Sequence, residues 1–109
     1  MTVSLAAEAP PIRREISGTL CVGNTRIALE HIVDDFKGGA TPEQIVEEYE
    51  SLTLADVYAV ITHYLRHRDE VEDYLAERER IAAAAEARSA GRNADLAGLR
   101  ARLLARQRA

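Results

Sequence analysis

Tryptophan is absent from these 109 residues, phenylalanine occurs once and tyrosine four times. A core built here has few large aromatic side chains and must be made from Ile, Val and Leu. Much of the 47% hydrophobic fraction is alanine gathered in the last third, which adds helix propensity more than core volume. Cys21 is the single cysteine, so an intramolecular disulfide framework is excluded and a cytoplasmic location is expected. No apolar run approaches the roughly 20 residues of a membrane span, and residues 1–11 contain no basic group of the kind that opens a secretory signal. Neither a signal peptide nor a membrane segment is therefore expected. Also missing are a phosphate-cradling glycine loop and a Ser/His/Asp or Cys/His arrangement in a supporting context. The expectation is a protein that is not an enzyme, with no cofactor, no metal and no small-molecule substrate.

The net charge of −4 hides a strong asymmetry. Residues 26–81 carry six basic and fourteen acidic groups, while residues 82–109 carry six basic and two acidic groups. An acidic body with a basic tail favours protein partners over a nucleic-acid-coated surface.

Residues 1–14 lack periodicity, and Pro10-Pro11 keeps them from forming a helix, so they read as a disordered or extended arm. Residues 15–75 form the patterned part. Gly23-Asn24 predicts a tight turn between short strands at Leu20–Val22 and Thr25–Ala28. Leu29, Ile32, Val33 and Phe36 make one apolar stripe, predicting a first helix over Leu29–Lys37 that Gly38-Gly39 stops. Thr41-Pro42-Glu43-Gln44 is a helix start with a cap, a proline at the first helical position and a capping box. The second helix is expected to run to about Tyr49. Thr53 then caps a long third helix, whose Leu54, Val57, Ile61, Tyr64, Arg68, Val71 and Leu75 follow heptad spacing. Residues 76–109 form an alanine-rich and basic tail, with a break at Gly91 and a new helix capped at Asn93. The fold class is mainly α: a short N-terminal β-ribbon, a three-helix helix-turn-helix core, a long third helix and a C-terminal helical extension.

Several of these residues form a recognisable set. Thr25, Arg26 and Ile27 are followed by Gly39, Thr41, Pro42, Glu43 and Ile45, then by Tyr49, Leu52 and Thr53. This pattern resembles the prokaryotic domain-of-unknown-function family four hundred and thirty-three, often described as antitoxin-like. Asn24, Ala28 and Glu50 depart from it, standing where the family has Gly, Pro and Pro. The resemblance implies a dimeric helix-turn-helix protein that binds and neutralises a PIN-like ribonuclease toxin and co-represses its own operon. The alternatives are a transcriptional regulator without a toxin partner and an orphan helical dimer with a structural role.

Two groups of residues are singled out. For operator DNA, Arg26 at the ribbon and Thr53, Tyr58, Thr62 and Arg66 on the third helix are the expected contacts. Against this, residues 41–65 contain five acids and no Lys or Arg, which opposes phosphate neutralisation. Arg26 has a plainer reading as the partner of a carboxylate in Glu47–Glu50. For a partner protein, Leu96, Leu99, Leu103 and Leu104 form an apolar stripe flanked by Arg100 and Arg106, with Arg102 and Arg108 nearby. His63 and His67, four residues apart, have zinc-ligand spacing but no supporting ligand set. The paired acids Asp34-Asp35, Glu47-Glu48 and Asp69-Glu70 fall mostly on outward helix faces, where they read as solvated carboxylates.

Overall fold

A computed structural model describes residues 2–107. Two strands and four helices follow in order: β1 (Ile12–Arg14), β2 (Leu20–Val22), α1 (Leu29–Lys37), α2 (Pro42–Glu48), α3 (Leu54–Arg66) and α4 (Arg68–Gln107). The protein is mainly α with a short N-terminal β-hairpin and a long C-terminal helix, the class its pattern implies. It divides into two compact units, with the boundary after Glu72.

In the first unit the ribbon pairs differently from the sequence expectation. β1 and β2 run antiparallel, with Ile12 opposite Val22 and Arg14 opposite Leu20. The expected arm Thr25–Ala28 supplies only a turn and one bridge. Thr25 N–H donates to the Val22 carbonyl at 3.1 Å, Val22 N–H donates to Ile27 at 3.0 Å, and Cys21 bridges to Ala28. The stronger partner comes from the segment after Pro10-Pro11. Arg13 fixes it there: its guanidinium donates to the Gly23 carbonyl at 2.7 Å, the Thr25 carbonyl at 2.5 Å and the Glu15 carboxylate at 2.6 Å. Such charge-assisted bonds to two carbonyls lock the strand to the following loop.

The helix signals act as read. Leu29, Ile32 and Val33 are buried from α1, and Phe36 meets Tyr64 edge-on at 6.3 Å. Gly39 supplies the left-handed backbone, at φ +98°, that ends the α1 segment. The Thr41 capping box is complete: Gln44 N–H donates to Thr41 Oγ1 at 3.2 Å, and Thr41 N–H donates to Gln44 Oε1 at 2.8 Å. At Thr53 only half of a box forms. Asp56 N–H donates to Thr53 Oγ1 at 3.1 Å, but the Asp56 carboxylate lies against Gly23 instead of reaching back. An added Cβ at Gly23 would sit 2.9 Å from Asp56 Oδ2, and Gly23 also has φ +57°.

The heptad reading of one long third helix is corrected. α3 ends at Arg66, His67 takes φ −130° and ψ 43°, and α4 starts at Arg68. The buried face of α3 is Val57, Val60, Ile61 and Tyr64, while Leu54 is 42% exposed. A helix seated on α1 and α2 buries a face with a 3.6-residue period, which brings in Val60 and releases Leu54. The bend at His67 lets the first turn of α4 return to the body. Val71 is buried there. Lys37 Nζ lies 2.6 Å from Glu72, and Tyr64 donates its hydroxyl to the same carboxylate at 2.6 Å.

The expected break at Gly91 does not occur either, because α4 is continuous to Gln107. An added Cβ at Gly91 or Gly98 would meet nothing within 4 Å, so no tertiary contact competes with helix continuation. The surrounding Ala, Arg and Glu outweigh a glycine cost of roughly 1 kcal/mol. Among the described residues, no helix is long and apolar enough to cross a membrane.

Candidate functional site

Every described residue from Glu79 to Gln107 is exposed. Alanine gives this stretch its helicity, and a fully wetted helix lacks the packing that stabilises helices in proteins. Its apolar content is concentrated at one place. Leu96, Leu99, Leu103 and Leu104 are 63%, 46%, 51% and 49% exposed, and the first three fall within a narrow arc of the helix at spacings of three and four. Together with Ala97, Ala101 and Arg100 they form one shallow surface. The predicted partner-binding residues Leu96, Leu99, Arg100, Leu103 and Leu104 are thus brought together. Arg106 lies three residues beyond Leu103, at the end of the same stripe; Arg108 lies outside the described residues. Arg92, four residues before Leu96, occupies the matching position at the other end, which the sequence reading did not single out.

The residues chosen for DNA contact are not equivalent. Thr53 is committed to capping α3. Tyr58 donates its hydroxyl to Glu43 Oε1 at 2.5 Å, tying α3 to α2. This bond holds the Glu43 carboxyl below its ordinary range and raises the Tyr58 phenol. Thr62 and Arg66 lie on the wet side of α3, in a shallow groove shared with Glu8, Ala9, Pro10 and Pro11. The N-terminal segment therefore borders the face that would read a base, and places Glu8 beside it. Arg26 is exposed, and it does not pair with the carboxylates of Glu47–Glu50 among the described residues.

His63 and His67 stack with ring centroids 4.5 Å apart. Burial is the main cause that pushes the His63 pKa down, followed by the charge of His67. Among the described residues no group of three His, Cys, Asp or Glu could hold a metal ion.

One paired-acid reading is corrected. Asp35 is half-buried, with Oδ2 enclosed and without a donor. Hydrogen bonding to Asp35 is the main cause that raises the Glu48 pKa, aided by burial. Two carboxylates brought together in this way disfavour the ionised form of Glu48. Their separation of thirteen positions across two helices and a glycine turn hid this contact in the sequence.

A small mainly α domain with a β-hairpin lead-in and two capped helices of low basic content is the class these observations define. The family model described as protein of unknown function (DUF433) matches residues 14–64. The match takes in the whole motif Thr25–Thr53. The match ends at Tyr64, so α4 lies outside it. No curated protein and no solved structure matches the chain.

Proposed function

We propose that this chain is an antitoxin-like interaction protein whose C-terminal helix binds and neutralises a partner of the PIN-like ribonuclease class in the cytoplasm. The observation that supports this reading is the exposed stripe Leu96, Leu99 and Leu103 with Leu104 beside it and arginines along it. An amphipathic helix of this kind lays its leucines into an apolar groove of a partner. Arg100, Arg102 or Arg106 would then meet the clustered carboxylates of a nuclease metal site through bidentate bonds. The test is co-purification with the product of the neighbouring reading frame. The full chain is expected to retain it and a chain ending at residue 90 to lose it. Equal capture by both would overturn the reading.

A second reading, a DNA-binding regulator of its own promoter, is favoured by the exposed guanidiniums of Arg26 and Arg66. It expects a salt-dependent mobility shift that weakens on Arg26→Ala or Arg66→Ala. No shift at low salt would end it.

A further inference from the structure

A second stripe of exposed apolar residues lies on α3. Leu54, Tyr58 and Leu65 are 42%, 47% and 47% exposed, and their spacings of four and seven place them in one line along the helix. Acids stand along it. Glu43 accepts the Tyr58 hydroxyl within the stripe, while Asp69 and Glu70 share a surface hollow with Leu65, Arg66, His67 and Arg68 at its far end. Residues 41–65 contribute five acids and no cation; Arg66 borders the stripe, and Arg68 is engaged over the Tyr64 ring.

The α4 stripe has the opposite layout. Arg92, Leu96, Leu99, Leu103 and Arg106 follow alternating steps of four and three, which puts leucines in the middle and an arginine at each end. Residues 87–107 carry five arginines against one acid, Asp95. The layout is symmetric, so pairing this stripe with a copy of itself sets arginine against arginine. In parallel register Arg92 opposes Arg92 and Arg106 opposes Arg106, and in antiparallel register Arg92 opposes Arg106. Pairing it with the α2–α3 face sets leucine on Leu54, Tyr58 and Leu65, and each terminal arginine near an acid. The lengths agree: at 1.5 Å per residue, Leu54–Leu65 spans about 16 Å and Arg92–Arg106 about 21 Å.

We propose that two copies of this chain associate by exchange, the leucine stripe of each α4 docking on the α2–α3 face of the other. The contact is isologous and closes with two copies. It does not depend on the partner proposed above; it states what covers the stripe when that partner is absent, so a partner protein would have to displace it.

The test measures mass by light scattering after size exclusion of the full-length protein, at low and high salt. Two copies are expected at low salt, with dissociation as salt screens the arginine–acid contacts. Leu99→Glu in the stripe and Leu65→Arg in the face should each weaken association by about tenfold or more, since each buries an unmatched charge. Both positions are exposed in the single chain, and circular dichroism checks that both variants fold. Mixing the two variants should restore a dimer, because the intact stripe of one meets the intact face of the other. A single copy under all conditions overturns the proposal. So does a loss caused by only one of the two variants, which indicates stripe-on-stripe or face-on-face pairing, and so does a mixture that stays dissociated. Failure here leaves co-purification with a neighbouring gene product unaffected, so the two ideas fail separately.

Discussion

Ile45 is the one fully enclosed side chain of α2, and the helix is held to the core largely through it. Ile45→Ala is expected to cost about 2–5 kcal/mol, the range for deleting a buried aliphatic chain, and denaturant unfolding checks it. Glu72 works at a different kind of joint. Hydrogen bonding from Lys37, then from Tyr64, holds its carboxyl below the ordinary glutamate value of 4.5. The folded state therefore favours ionised Glu72. Its contribution is complete above pH 4.5 and is lost as pH falls through the lowered value. Lys37 is raised by the same bond, so its share persists below 10.5 and is lost only in strong alkali. Glu72→Gln should lower the melting temperature at pH 7, and the gap to wild type should close in acid; melting curves at neutral and acid pH decide this. Both side chains are more than two-fifths exposed, so solvent screening keeps the effect modest.

At the scale of elements, local signals set most boundaries. Thr41-Pro42 started α2 and Thr53 capped α3 because caps act within four residues of chain. Where local signals mislead, a distant contact or its absence decides. β1 is hidden because Arg13 is held by carbonyls ten and twelve residues away. The break at His67 is hidden because heptad spacing runs through it, while Lys37 and Tyr64 bonded to Glu72, with Val71 buried beside them, hold the start of α4 on the body. Gly91 does not break the helix because nothing there competes with it. Gly91→Ala should raise helicity and stabilise this part of α4 by roughly 0.5–1 kcal/mol. Circular dichroism of the full chain checks it, and an unchanged or lower helix signal would mean the glycine has a contact that the free helix does not show.

For the whole molecule, the buried core among the described residues lies entirely at or before Val71. A chain ending at residue 90 is therefore expected to keep the cooperative melting of the first unit, and at high salt, where contacts between copies are screened, its midpoint should lie close to that of the full protein; a large drop there would show that the tail stabilises the body. The same truncation removes Arg92 and the leucine stripe, so it separates stability from binding. The charge layout belongs to this scale too. An acidic body and a basic tail are visible in a residue count, but a count does not say which acids border an exposed apolar stripe.

By itself the sequence determined the mainly α class, the α1 and α2 boundaries, the start of α3 and the family match over residues 14–64. These follow from caps, glycines and apolar spacing, which are local physical facts. Only the tertiary structure decided which strand pairs with β2, where α3 gives way to α4, that Asp35 faces Glu48, and which face of α3 stays exposed. Each of these depends on groups far apart in the chain competing for one partner or one patch of core, and that competition is settled by packing.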